Sequence, residues 1–376
     1  MANANVNTLQ LGSSMTIKEL RKFIPVVGKE LTVIIQSEPG CGKTSLLAMM
    51  AEDNGDEWRK PGDVCPDDKW DYIYVDCPVK DMSDIGMTIP VHASKTLEYY
   101  VSSLFCLDSP KPKMILLDEA LKAPKLMQII YTRLMLERMV GDKPLTRGSV
   151  IFASSNNVSD GVGDSIMAHV GNRVCIVPMS KPTMNEWLEW AGHPQTMISR
   201  IVRAFVGVFP RCLASYKDSG QEDNPYIFKP NSGVVSFVSP RSLAKCDVIV
   251  RNRDILGENA TKVALAGTIG ASAAGDMMAF LSVEKSLASM EEILASPTTV
   301  AMPKETAAQL MLMFQAVDTV KTQDELSNFM VFVERMNSSE VQSIFFTMMC
   351  RNPKGMKLAR YNQKISDWAK TNHELF

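Results

Sequence analysis

Over its first half the chain alternates short apolar runs with longer segments of helical period, and after that the runs stop. The runs are LTVII (31–35), YIYVD (72–76), MILLD (114–118), SVIFAS (149–154) and RVCIVPM (173–179). Each is nearly continuous in aliphatic or β-branched residues, the pattern of strands covered on both faces. Between them, TSLLAMMAEDN (44–54), SKTLEYYVSSLFC (94–106) and APKLMQIIYTRLMLERM (123–139) space their apolar residues as helices do. A short helix is expected at 16–23, opened by a capping box of Thr16 and Glu19. Strand–helix alternation of this kind predicts a parallel α/β sheet with right-handed crossovers.

Past residue 180 the strand signal fades. Thr183 and Glu186 form a second capping box over 183–191 and set Trp187 and Trp190 on one helical face, a packing stripe in preference to a ligand box. The polar stretch 217–233 reads as an exposed loop. From Ser239 onward helices are expected at 240–251, 260–284, 304–319, 323–336 and 338–350. The expected domains are an α/β unit over 1–180, a helical lid over 181–285 and a C-terminal helical region over 286–376. No internal repeat or low-complexity tract interrupts them.

Chemistry enters at residues 37–44, Ser-Glu-Pro-Gly-Cys-Gly-Lys-Thr, between a predicted strand and a predicted helix. A glycine-rich turn there lets backbone N–H groups wrap phosphates, and the helix N-terminus adds partial positive charge. Gly40 and Gly42 supply the freedom, Lys43 the point charge and Thr44 a hydroxyl for Mg²⁺, so the loop Ser37, Glu38, Pro39, Gly40, Cys41, Gly42, Lys43, Thr44 and Ser45 is read as an ATP site. Ser37 stands where the pattern has glycine, at a position leaving a strand that tolerates a negative φ. Cys41 lies beside the helix N-terminus, which would lower its pKa and make it sensitive to alkylation. One strand–helix unit further on, MILLDEA puts Asp118 where it would hold Mg²⁺ through a bound water, and Glu119 where it would polarise the attacking water.

Together with SVIFASSNN and the later Asn-Arg-Val, these motifs resemble the AAA+ ATPases, and within them the MoxR-type and dynein-related bacterial and phage members. The stretch from Leu134 to Ala191 and VSPRSL at 238–243 resemble that branch too. The resemblance implies a P-loop AAA+ fold, a parallel five-stranded sheet sandwiched by helices and followed by an all-α lid. It implies that Asn156, with Asn157 the alternative, is the sensor-1 residue facing the attacking water or the γ-phosphate. It makes Arg173 an arginine finger for a neighbouring subunit, with a salt-bridging arginine at a strand start as the plain alternative. It makes Arg241 the sensor-2 arginine of the lid, and there the residues agree: Ser239 suits an N-cap, Pro240 the first helical position, and Arg241 the first turn. A surface arginine is the alternative. Residues 77–91 resemble the segment where that family often inserts a hairpin, with Asp84 and Gly86 at its acidic and glycine positions.

The function so implied is Mg²⁺-dependent ATP hydrolysis at the subunit interfaces of a homo-oligomeric, hexameric ring that remodels a protein client, with a von Willebrand A-type (VWA) partner. A DNA-acting motor or helicase loader is the second reading. The net charge of −2 and pI of 6.2 give it no basic footprint, so nucleic acid is not the expected partner. A nucleotide-gated scaffold without catalysis is the third, and the presence of Glu119 and Arg173 speaks against it. With 45% hydrophobic and 22% charged residues the chain can bury an ordinary core, and its 25 methionines read as core filling. Eight scattered cysteines and four dispersed histidines show no metal-ligand or triad spacing, which predicts free thiols in a reducing compartment. No apolar run nears the ~20 residues that span a bilayer, and residues 1–16 lack the pattern of an export signal, so a cytoplasmic protein is expected.

Overall fold

The computed structural model describes residues 13–56, 68–157, 168–193, 196–230, 232–336 and 338–372. Expectations that rest on residues 1–12, Cys65 and His373 lie outside the described residues. The chain divides into two compact units, Met1–Lys181 with Lys229–Gly233, and Pro182–Phe228 with Val234–Phe376.

The first unit runs α1 (Ile17–Val27), β1 (Val33–Ser37), α2 (Ser45–Asp53), β2 (Asp71–Asp76), α3 (Met82–Ile85), β3 (Gly86–Val91), β4 (Thr96–Val101), β5 (Lys113–Asp118), α4 (Lys125–Glu137), β6 (Met139–Val140), β7 (Lys143–Pro144), β8 (Val150–Asn156), α5 (Ala168–Gly171) and β9 (Cys175–Pro178). Five strands form one parallel sheet in the order β2-β5-β8-β1-β9, the α/β architecture expected. Strand periodicity explains the sandwich. Ile34, Ile115, Leu117, Ile151 and Ala153 face one apolar core with Met127, Tyr131 and Leu134 of α4. Their neighbours Val33, Ile35, Met114, Leu116, Val150 and Phe152 face the other, with Leu20 and Ile24 of α1 and Leu46, Leu47 and Met50 of α2. Every residue of β5 and β8 is buried, and both strands finish on polar residues, Asp118 and Asn156, at the same sheet edge.

One expected helix is corrected. Residues 94–106 do not form the expected α-helix; Thr96–Val101 is β4, paired antiparallel with β3 from Gly86↔Val101 to Val91↔Thr96, and only Ser103–Phe105 makes a single 3-10 turn. The spacing of Leu97, Val101 and Leu104 fits a helix, but Thr96, Tyr99, Tyr100 and Val101 favour a pleated strand once Gly86–Val91 is there to pair with. Gly86 is required by that pairing, since a Cβ there would lie 2.5 Å from the Tyr100 carbonyl oxygen. Asp84 serves locally, its carboxylate accepting from the Asp81 N–H at 3.0 Å and closing the capping box of α3.

The second unit contains α6 (Met184–Ala191), α7 (Arg200–Val208), α8 (Pro240–Arg251), α9 (Arg253–Leu256), α10 (Glu258–Ile269), α11 (Ala271–Glu284), α12 (Met290–Ala295), α13 (Thr306–Thr319), α14 (Gln323–Glu334), α15 (Ser339–Arg351), α16 (Pro353–Ala359) and α17 (Gln363–Thr371). One apolar core runs from Trp187 to Trp368. Trp187 is buried in it, with Trp190 packed alongside at 6.1 Å between ring centroids, so this pair is a packing stripe. The helix expected over 260–284 begins at Glu258 and breaks at Gly270, whose φ of 87° is costly for any residue with a Cβ. A Cβ there would also meet the Ser236 carbonyl oxygen at 2.8 Å.

At the start of β5 the Lys113 ammonium is fully buried. It donates to Asp71 Oδ2 at 2.7 Å and to the carbonyls of Ser109 and Lys111 at 2.8 and 2.7 Å. Removing the lysine strands a buried carboxylate, which costs about 3–5 kcal/mol. Lys113→Met is therefore expected to lower the urea midpoint of unfolding by that amount of stability, whereas an unchanged midpoint would show that the pair contributes nothing.

Candidate functional site

The site forms where β1, β8 and β5 end at the same edge. β1 ends at Ser37 and the chain turns through Gly40 (φ 78°) and Gly42 (φ 95°), left-handed positions where glycine avoids Cβ strain. α2 starts at Ser45, and Thr44 at its N-cap makes no capping bond with its side chain. That hydroxyl instead donates to Asp118 Oδ2 at 2.9 Å. The Lys43 ammonium is buried against the loop it ends, donating to Ser37 O, Ser37 Oγ and Glu38 O at 3.1 Å and to Asn156 Oδ1 at 3.0 Å. Ser37 lies directly opposite Asn156 in the β1–β8 register. Serine at 37 is therefore an extended strand residue whose side chain and carbonyl both orient Lys43. The Asn156 carboxamide reaches the lysine, and Asn157 is also buried.

Asp118 is held on both carboxylate oxygens. Oδ2 accepts from Thr44 and from the Tyr74 hydroxyl at 3.1 Å, and Oδ1 accepts from the Ser154 hydroxyl. Glu119 follows with φ 51°, the left-handed region that a β-carbon disfavours. Its N–H donates to Ser154 Oγ at 3.0 Å, and its carboxylate pairs with Lys122 Nζ at 2.9 Å. Asp76, level with Asp118 in the β2–β5 register, adds a third carboxyl. Burial first, then the charges of Asp118 and Glu119, raise its proton affinity above the ordinary carboxylate value. Burial and Asp118 likewise push the Tyr74 phenol up, keeping it a protonated donor.

Several of these groups carry no motif. Tyr74 and Asp76 alternate on the half-exposed face of β2, and Ser154 is a polar residue in a fully buried strand, two positions before Asn156. Those placements were the available signal. Lys181 had none: it follows β9 in sequence and its ammonium lies 3.6 Å from Glu38 Oε2, with both side chains about 95% buried (4% and 5% exposed).

Arg173 is exposed on the turn before β9, and its guanidinium makes no ion pair among the described residues. Because β9 runs parallel to β1, with Val33↔Cys175, that turn sits at the strand-start edge, opposite the edge carrying Ser37, Asn156 and Asp118. Arg241 is exposed in the first turn of α8 in the second unit, behind the Ser239 capping box and Pro240.

The donor set fits a nucleotide phosphate with magnesium. Lys43, the positive-φ glycines and the α2 N-terminus suit phosphate oxygens. A hydroxyl and a carboxylate oxygen on adjacent elements suit a hard cation, which is completed by phosphate and water oxygens and so requires no carboxylate cage. No cluster of three or more His, Cys, Asp or Glu side chains that could hold a metal ion exists among the described residues.

No family model matches the sequence, and no curated protein matches it. Among solved structures, the Thermotoga maritima RuvB Holliday junction branch migration motor is similar at 13% identity and TM-score 0.35, covering 76% of this chain and 75% of its own. A putative ATPase from Cytophaga hutchinsonii is similar at 12% identity and TM-score 0.28, covering 89% and 81%. NtrX from Brucella abortus is similar at 11% and 0.32, covering 96% and 68%. At these scores the chemistry rests on the site's own geometry.

Cys41 corrects an expectation. Although it lies beside a helix N-terminus, its thiol is buried, and desolvation pushes its pKa up to about 11, outweighing the lysines nearby. The neutral thiol therefore persists until strongly alkaline pH, and at pH 7.5 the thiolate fraction is roughly a hundredfold below that of an ordinary thiol. Iodoacetamide at that pH should label exposed Cys350 and leave Cys41 unmodified in the folded protein, as read by peptide mass spectrometry. Equal labelling would contradict the burial.

Proposed function

We propose that this protein is an AAA+-type ATPase that binds Mg²⁺·ATP at the β1–α2 loop and hydrolyses it. The observation that carries the reading is the convergence of Lys43 with Asn156 and of Thr44 with Asp118, which joins three motifs distant in sequence into one mouth. Bound magnesium would offset charge on the terminal phosphates, held through Thr44 and Asp118. Lys43, the loop amides and the α2 N-terminus orient the phosphates. Glu119 accepts the proton of the attacking water, and Asn156 positions that water or the phosphate it attacks.

Finer features follow as parts of the same proposal. With Arg173 at the opposite edge of its own sheet, its guanidinium serves a second copy's site. In this proposal the copies form a hexameric ring of the MoxR-like kind, and the protein is cytoplasmic. Arg241 acts as the nucleotide sensor of a helical lid over 181–285, with 286–376 as a further helical region. The near-neutral charge favours a protein client, and a VWA-domain partner, over DNA. No helix among the described residues is long and apolar enough to cross a membrane.

The test is ATP turnover and nucleotide binding in three proteins. Glu119→Gln should retain ATP binding and lose turnover by about 10²–10⁴-fold, the range for a general base. Wild-type rates in this variant would sink the catalytic assignment. Arg173→Ala should be slow alone, and it should recover activity when mixed with Glu119→Gln, because mixed assemblies pair an intact Glu119 with an intact Arg173. Mixing without recovery, or full activity in Arg173→Ala alone, would refute the shared site.

A further inference from the structure

Ser154 has no place in the phosphate or magnesium shell, yet its hydroxyl touches two consecutive residues of the acidic strand end. The O–H donates to Asp118 Oδ1. The same oxygen accepts the backbone N–H of Glu119 at 3.0 Å. The donor and acceptor capacity of one hydroxyl is thus divided between a metal-binding carboxylate and the peptide that aims the next side chain. Ser154 is fully buried in β8, so water cannot substitute for either bond.

The second contact matters because Glu119 is held at φ 51°. A residue with a β-carbon stays there only when its surroundings fix it. Three contacts are present: the Ser154 bond to the Glu119 N–H, the bond from the Lys122 N–H to the Glu119 carbonyl at 2.8 Å, and the Lys122 ion pair to its carboxylate. The ion pair is half-exposed and local, and such pairs fix little. The serine bond comes from a neighbouring strand and sets the plane of the peptide between Asp118 and Glu119.

We propose that Ser154 is a positioning residue for hydrolysis: it couples the orientation of the Asp118 carboxylate to the left-handed backbone of Glu119, so that the magnesium-holding group and the general base are set by one hydroxyl. This rests on the reading of the site as an ATPase. Ser154 is buried in β8, and its loss acts through its two partners.

The experiment compares wild type, Ser154→Ala and Ser154→Cys. Cysteine fills the serine's volume with a much weaker donor, which separates hydrogen-bond loss from cavity formation. Binding of a fluorescent ATP analogue, kcat, the Mg²⁺ concentration for half-maximal rate, and thermal unfolding are measured on each. Both variants should bind the analogue within about threefold of wild type, turn over about tenfold to a hundredfold more slowly, and need several-fold more Mg²⁺, as loss of a hydrogen bond to a charged group implies. The proposal is overturned if both variants keep the wild-type kcat and Mg²⁺ requirement. It is equally overturned if Ser154→Cys behaves as wild type while Ser154→Ala does not, or if binding falls along with kcat. A wild-type protein without turnover removes the reading of the site and this proposal with it. Wild-type turnover beside unaffected serine variants removes this proposal alone.

Discussion

The parallel register of β5, β8 and β1 is the constraint from which the site follows. Parallel strands point their carboxyl ends the same way, and with helices on both faces the polar residues at those ends have one edge to occupy. Asp118, Asn156 and Ser37 are the last residues of the three central strands. Pairing Ser37 with Asn156 and Leu117 with Ala153 fixes the distances between them before any loop is considered. A slip of one residue in β8 would turn Ser154 and Asn156 to the other face and open both the Lys43 and Asp118 contacts at once.

Much of this edge was legible because its parts are local motifs. The glycine turn, the acidic strand end, the Thr16 and Thr183 capping boxes and the strand runs are patterns over a few residues, and the structure forms each of them. What escaped depends on partners far away in sequence. Residues 96–101 satisfy a helical spacing and a strand alternation alike, and Gly86–Val91 decides between them. The break at Gly270 is a contact with Ser236 as much as a propensity. Ser154 stood out in sequence only as a polar residue two positions before Asn156, and its two partners became visible once β8 lay beside β5. Cys41 shows the same limit in electrostatics: the helix N-terminus is visible in sequence, the burial that outweighs it is not.

Of the five described non-glycine residues with positive φ, one, Glu119, lies where the chemistry would occur. Gly40 and Gly42 take left-handed φ without a Cβ penalty, whereas Glu119 takes it with one. Carboxylates crowd the same edge, and the rise in proton affinity at Asp76 comes from its burial first and then from the charges of Asp118 and Glu119 beside it. Lys122 on Glu119 and buried Lys181 on Glu38 offset part of that charge density from within the unit.

The β2–β5 pair holds its acidic residues in two different ways. At the start of the pair Asp71 lies opposite Lys113, and a buried ammonium neutralises it. At the end Asp76 lies opposite Asp118, two acids side by side. Asp118 is almost as well buried as Asp71, but its partners Thr44, Tyr74 and Ser154 are hydroxyls. Neutral donors fix the direction of a carboxylate without compensating its charge, whereas a lysine both fixes the direction and compensates the charge. The same residue type on the same two strands is thus paired with a buried lysine at one edge and held by hydroxyls at the other.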